Sequence, residues 1–248
     1  MKALILAGGR GKRLGLLSKE KNKCMVEFMG KPLIAYSLDC ARQNGMDEIV
    51  VVVGYKADDV INRFGSNYQG IPLKYVRQQE QKGLVHAIFC AKEAVGRSDF
   101  MLLLADELMI NPKHSLMIEK FKKESLFGIC GVLKVQDESL IQKTYGLREE
   151  DGKIIDLIEK PDMEQIKNSG LITRNIMGTG NCLFGAEIFD FIPKTPVNPN
   201  RGEQELPDLI KAAINGGKTI KSFIICDTYF NFNNPQELLA AESYFSHS

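Results

Sequence analysis

The apolar stretch Ala3-Leu4-Ile5-Leu6-Ala7 runs straight into Gly8-Gly9-Arg10-Gly11-Lys12-Arg13-Leu14. A strand that ends in three glycines and three cations restricts what the chain can fold into. Glycine lets the backbone turn with positive φ and lets N–H groups approach a ligand with no Cβ in the way, while Arg and Lys add full charges. The loop is therefore built to hold a polyanion. It is neither of two common glycine motifs. The dinucleotide fingerprint G-x-G-x-x-G fits Gly9 and Gly11 but meets Leu14 where the third glycine belongs, and the Walker pattern would need glycine at Leu6 and Ser or Thr at Arg13.

Apolar runs of strand length recur along the chain: 3–7, 49–53, 73–76, 100–104, 127–135, 154–158, 181–184 and 220–226. Segments with helical spacing lie between them, at 32–44, 84–95, 115–123 and 205–215. Alternating β and α predicts a largely parallel sheet covered on both faces. The unbroken Ile49-Val50-Val51-Val52-Val53 and Met101-Leu102-Leu103-Leu104 agree, since strands buried on both faces lose polar alternation. Ligands on such sheets bind beyond the carboxyl ends of strands, which singles out Gly8 to Arg13, Gly54-Tyr55, Gln78 to Gly83 and Ala105-Asp106-Glu107.

The balance of charge narrows the ligand. With 32 basic against 31 acidic residues, a net charge of +1 leaves no basic excess for nucleic acid or an anionic membrane, so the polyanion is met locally. A nucleoside triphosphate is the natural candidate. The 248 residues, 44% hydrophobic and 25% charged, suit a soluble enzyme. Such a chain buries roughly 70–75% of its unfolded surface. Cys24, Cys40, Cys90, Cys130, Cys182 and Cys226 form no C-x-x-C pair and read as reduced core residues, and no signal peptide or long apolar span is present. A cytoplasmic protein is expected.

Several motifs occur in order over nearly the whole chain: Leu6-Ala7-Gly8-Gly9-x-Gly11-x-Arg13-Leu14, Lys23 ahead of Gly30-Lys31-Pro32-Leu33-Ile34, Gln78 five before Gly83, Asp106 after a buried strand, Glu159-Lys160-Pro161, Arg201-Gly202-Glu203, and Pro235. In this the sequence resembles the nucleotidyltransferases that activate sugar 1-phosphates. The resemblance implies a three-layer α/β/α, Rossmann-like nucleotidyltransferase fold with a mostly parallel mixed central sheet, as one catalytic domain over residues 1–248. It implies transfer of a nucleoside monophosphate from an NTP to a sugar 1-phosphate, with Mg²⁺ assistance and release of pyrophosphate. An acceptor phosphate oxygen attacks the α-phosphorus in line with the leaving pyrophosphate, so the protein's work is positioning and charge neutralisation. A phosphate monoester needs no histidine base, which fits a chain whose histidines are His86, His114 and His247. His86, inside a helical run, reads as structural.

By this resemblance Leu6, Ala7, Gly8, Gly9, Gly11 and Lys12 wrap the nucleotide, Arg13 holds the β- and γ-phosphates, and Lys23 bridges the reacting phosphates. Gln78 reads the base and Gly83 lets it lie against the backbone; Asp106 binds Mg²⁺. Glu159, Lys160 and Arg201 meet the sugar phosphate, with Gly146 and Thr179 in glycine turns that admit the sugar ring. The chain departs from the family in Asn22, where proline usually precedes the lysine, and in Lys12, where Ser or Thr is usual. It departs again at Asn231, where a second metal-binding Asp is expected; Asp227 and Glu107 are alternatives for that ligand. A stand-alone enzyme is expected because the chain ends soon after a helix from Pro235 to Tyr244, and a homodimer is the default assembly. Two other readings stay open: a cytidylyltransferase acting on a phospho-alcohol or phosphonate, and a non-catalytic sensor of nucleotide or sugar phosphate. Lys23, Arg13 and Asp106 speak against the sensor, which has no use for a group that serves only the transition state.

Overall fold

The structure is a computed structural model and describes residues 1–11, 21–167, 170, 172–173, 175–199 and 201–246. Its strands are β1 (Lys2–Ala7), β2 (Glu27–Phe28), β3 (Lys31–Pro32), β4 (Ile49–Val53), β5 (Asn67–Tyr68), β6 (Ile71–Arg77), β7 (Phe100–Leu104), β8 (Glu107–Ile110), β9 (Gly128–Lys134), β10 (Tyr145–Glu150), β11 (Lys153–Glu159), β12 (Ile176–Phe184), β13 (Ile220–Ile224) and β14 (Thr228–Asn231). The helices are α1 (Leu33–Gln43), α2 (Ala57–Phe64), α3 (Leu84–Cys90), α4 (Lys92–Val95), α5 (His114–Lys123), α6 (Met163–Lys167), α7 (Leu206–Asn215) and α8 (Pro235–Ser246).

One ten-stranded sheet carries the fold in the order β10-β11-β13-β9-β12-β7-β1-β4-β6-β5. Its parallel part is the run β7-β1-β4-β6, with Ile5 opposite both Val51 and Leu103. The inner strands β7, β1 and β4 are apolar on both faces and helices cover both, whereas β6 exposes Pro72, Lys74 and Arg77. Ile5, Val51 and Leu103 pack into a core with α1, α2 and α5, while Leu4, Val50 and Leu102 pack with α3, α4 and α7. The second half is mixed: β9 and β13 are parallel, whereas β12 runs antiparallel to β7 and β9, and β10 and β11 form an antiparallel pair. The expected three-layer α/β/α arrangement with a mixed sheet is therefore present. The helical run expected over 84–95 breaks at Ala91 into α3 and α4.

Two small elements buttress the carboxyl edge of the parallel strands. A ribbon pairs β8 with β14, with Asn231 opposite Glu107 and Thr228 opposite Ile110. A third apolar cluster joins Val26, Phe28, Leu33, Leu108, Phe232 and Leu238, with the Phe28 and Phe232 ring centroids 5.0 Å apart. It ties α8 and the end of β14 to the segment after Lys23.

Candidate active site

Four parallel strands end on one edge; the chain leaving β1, β6 and β7 turns into one cleft, and the chain leaving β4 packs against Gly8. Gly8 follows β1, Gly54 follows β4, Gln78 follows β6 and Ala105-Asp106 follows β7. The cleft holds about 670 Å³ and is lined by Leu6 to Gly11, Asn22 to Cys24, Gln78, Gln81, Gly83, Leu84, Ala87, Leu104 to Asp106, Glu203 and Asn233. Close approach explains two of the glycines. Gly11 has φ +63°, and a Cβ there would stand 2.8 Å from the Lys23 Cβ; Gly83 has φ +92°, and its Cβ would stand 2.7 Å from a Glu203 carboxylate oxygen.

Lys23 projects into this cleft from a single 3₁₀ turn, Lys23–Met25, which Asn22 holds in place. The Asn22 side chain is fully buried: its Oδ1 accepts from the Cys24 N–H at 2.9 Å, and its Nδ2 donates to the carbonyls of Tyr55 at 2.6 Å and Ala7 at 3.2 Å. Its own N–H donates to Asp59 at 3.0 Å. Where the resemblance leads one to expect proline, hydrogen bonds to the ends of β1 and β4 do the fixing. The Lys23 ammonium donates to the Asp106 carboxylate and, at 3.0 Å, to Asn233 Oδ1.

Gln78 is buried. Its Nε2 donates to the Gly83 carbonyl at 3.1 Å and lies 3.0 Å from His86 Nδ1, which leaves Oε1 as the amide atom without those partners, facing Gly8. His86 thus orients Gln78, the structural part expected of it. Arg10 bridges the glycine loop to the neighbouring turn through its Nε and Gln81 Oε1, 2.8 Å apart.

Behind Asn233 a row of polar side chains runs into the protein. Asn233 Nδ2 donates to Asn231 Oδ1 at 2.7 Å, Asn231 Nδ2 to the Tyr229 oxygen at 3.2 Å, and the Tyr229 hydroxyl to Glu107 Oε1 at 2.6 Å. Glu107 also accepts from the Gly180 N–H at 3.1 Å and from Asn181 Nδ2 at 2.6 Å. Burial pushes its carboxyl up to about 8, and the hydrogen bonds from Tyr229, Gly180 and Asn181 work against that rise. Asn181 Oδ1 in turn meets His114 Nε2 at 2.8 Å.

Asn231, expected on the metal side, does not line the cleft. Asn231 stands one residue pair behind the cleft and both of its amide groups are engaged, whereas Asn233 faces the cleft beside Asp106. Phe232 is fully buried between them in a tight turn, in which the Asn233 N–H donates to the Asn231 carbonyl at 3.0 Å and the two asparagine side chains meet. Asp227 is excluded by position. It sits at the far end of the β8–β14 ribbon, where hydrogen bonds and charge from Lys113 and Asn111 hold its carboxyl below the usual range.

Glu159, Lys160 and Arg201 come together as expected, although they do not line the 670 Å³ cleft. Glu159 Oε1 accepts from Lys160 Nζ at 2.8 Å and Arg201 Nη1 at 3.2 Å, and Arg201 also pairs with Glu205 at 2.9 Å. Glu203, two residues from Arg201, connects this group to the cleft wall. Gly146 and Thr179 are not in open turns. A Cβ at Gly146 would stand 2.6 Å from Ile172, and the buried Thr179 hydroxyl donates to the Gly131 carbonyl at 2.9 Å. Lys12 and Arg13 lie outside the described residues. Asn22, Asn233, Gln81 and Glu203 are cleft residues that motif reasoning did not assign.

A model of the family described as nucleotidyl transferase matches residues 2–231. The chain belongs to that family. Among its relatives, a UTP–glucose-1-phosphate uridylyltransferase of Haloferax volcanii is 31% identical over 242 residues, covering 98% of this chain and 95% of the relative. A glucose-1-phosphate thymidylyltransferase of Streptomyces griseus is 25% identical over 243 residues, covering 96% of this chain and 64% of the relative. The chain spans 54% of the bifunctional protein GlmU of Methanococcus maripaludis, at 29% identity over 245 residues and 99% of this chain. The fold is that of a UDP-glucose pyrophosphorylase solved with UDP-glucose, with a TM-score of 0.87 at 23% identity over 100% of this chain and 99% of the other. The family and these relatives bear out the expectation of an enzyme that joins a nucleoside monophosphate to a sugar 1-phosphate. Among the described residues no helix is long and apolar enough to cross a membrane.

Proposed function

We propose that this enzyme transfers a uridylyl or thymidylyl group from its nucleoside triphosphate to a hexose 1-phosphate, with release of pyrophosphate. The observation that carries the reading is the meeting of Lys23 with Asp106 opposite the glycine loop, at the ends of parallel strands. There a cation can neutralise charge as the phosphates react, while the loop's N–H groups hold the triphosphate in line. Arg13 extends that grip in the role the sequence suggests for it.

The pyrimidine follows from Gln78. With Nε2 engaged by Gly83 and His86, the amide offers its oxygen, an acceptor for the ring N–H of uracil or thymine. The cytosine ring nitrogen at that position is itself an acceptor. The names of the Haloferax and Streptomyces relatives agree with a uridine or thymidine nucleotide and with glucose 1-phosphate. On the acceptor side, Lys160 and Arg201 supply charge for the sugar phosphate, and Glu159 accepts from sugar hydroxyls.

The cleft's donor set fits Mg²⁺. Asp106 and Asn233 turn hard oxygens toward the same cation, Lys23 Nζ, and Mg²⁺ typically takes one or two such ligands while keeping phosphate and water. When bound, Mg²⁺ would supply further neutralisation of the triphosphate.

The test is pyrophosphate release from each NTP with a panel of sugar 1-phosphates and Mg²⁺. Release with UTP or dTTP and a hexose 1-phosphate is expected, and none with CTP. Release only from CTP with a phospho-alcohol, or none with any pair, rejects the reading.

A further inference from the structure

The row from Lys23 to Glu107 has a direction, and the direction has a consequence in the cleft. Lys23 is a pure donor, so the Asn233 amide must turn its oxygen to the cleft and its nitrogen inward. Asn231 must then offer Oδ1 to Asn233 and Nδ2 to Tyr229, whose oxygen accepts only if its proton points elsewhere. Glu107 takes that proton, and its other neighbours, the Gly180 N–H and Asn181 Nδ2, are donors too. Every link is thus an amide or hydroxyl whose one orientation compels the next. Without the inner end the Asn233 amide is held by Lys23 alone, and a half-turn that presents its N–H groups to the cleft is opposed at one end instead of two.

We propose that Tyr229, which does not line the cleft, is a positioning residue whose hydroxyl, by donating to Glu107 and accepting from Asn231, locks the Asn233 oxygen toward Lys23 and the reacting phosphates. The proposal rests on the nucleotidyl-transfer reading for its kinetic effect but not for its geometry. Asn231 stands between Tyr229 and Asn233 and hydrogen-bonds to both. Coupling along this row therefore passes through amide orientation.

The test is a double-mutant cycle with Tyr229→Phe and Asn233→Asp, assayed under one set of conditions. Tyr229→Phe removes both hydrogen bonds of the hydroxyl and releases the lock, so kcat should fall roughly three- to tenfold with the KM for the NTP little changed. Asn233→Asp presents an oxygen in either orientation but needs Asn231 turned round, which Tyr229 opposes and phenylalanine permits. The two changes should therefore compensate, with the double variant faster than the product of the single effects predicts. A hydroxyl that merely stabilises the fold would give independent effects, and independent effects overturn the proposal. So does a wild-type rate in Tyr229→Phe.

A second measurement needs no turnover. The side-chain amide protons of Asn233, identified by their loss in Asn233→Asp, should exchange slowly in the wild type and faster in Tyr229→Phe. Unchanged exchange overturns the lock. If instead the wild type releases no pyrophosphate with any NTP, the functional reading fails while the exchange result still decides the positioning.

Discussion

Lys23 and Asp106 stand 83 positions apart in the chain and meet in the cleft, the lysine from a 3₁₀ turn and the aspartate from the end of β7. The pair is largely buried, so the cost of taking both charges out of water offsets much of their attraction and the pair adds little net stability to the fold. Its importance is chemical. Lys23→Ala and Asp106→Ala should each lower turnover by about 10²- to 10³-fold or more, the scale of losing one preorganised charge-stabilising group. Thermal melting should stay near that of the wild type, and near-normal rates in either variant would remove that residue from the mechanism.

Asn22 offers a sharper comparison, because its backbone φ of −59° is one proline adopts. Asn22→Pro keeps the turn but loses the bonds to Asp59, Tyr55, Ala7 and Cys24; Asn22→Ala loses the side-chain bonds and leaves buried carbonyls unsatisfied without stiffening the turn. Both should melt earlier, by about 1–3 kcal/mol in stability. Asn22→Pro should retain the greater share of kcat, since Lys23 is still aimed. Equal losses of kcat in the two variants would show that backbone shape at this position does not set the lysine.

The parts of this site that could be read from sequence are those fixed by local chemistry. A glycine loop after an apolar strand, and an aspartate after Leu102-Leu103-Leu104-Ala105, reach the same edge because parallel strands end together. Asn233 was not legible. Whether Asn231 or Asn233 enters the cleft depends on where β14 stops and on Phe232 filling the cluster with Phe28, and both are long-range facts. The surroundings of Gly146 and Thr179 were hidden for a similar reason. A glycine or threonine in a strand looks alike whether its face is open or covered, and here Ile172, Ile141 and the Gly131 carbonyl cover them. The strand β10 was hidden because Arg148-Glu149-Glu150 reads as polar loop, although it forms one edge of the sheet.

Gly83 tests the base side of the cleft. At φ +92° any side chain is strained, and a Cβ would press on Glu203, so Gly83→Ala must shift the 201–203 loop or the start of α3. With ψ at −179° the position lies in a region almost restricted to glycine, and the strain alone costs about 1–3 kcal/mol. Because the Gly83 carbonyl also holds Gln78, the expected result is a raised KM for the NTP with a smaller change in kcat. The melting shift on adding UTP or dTTP with Mg²⁺ should shrink accordingly. An unchanged KM would separate Gly83 from nucleotide binding.

His114 makes a prediction about pH. Its Nε2–H donates to Asn181 Oδ1, since the Asn181 nitrogen faces Glu107, and its Nδ1 is buried with no hydrogen-bond partner among the described residues. Protonating Nδ1 would place a cation where nothing accepts from it, and burial accordingly lowers the histidine below its ordinary 6.5. The unfolded chain then takes up a proton that the folded chain refuses, so the unfolded state gains as pH falls below that ordinary value. This contribution to stability is complete above the unfolded histidine value and is lost progressively as pH falls toward the depressed folded one. His114→Gln keeps a donor for Asn181 but cannot titrate, and it should flatten the acid side of a plot of melting temperature against pH below the ordinary histidine value of 6.5. A slope there identical to that of the wild type would mean that another group sets the acid sensitivity of the fold.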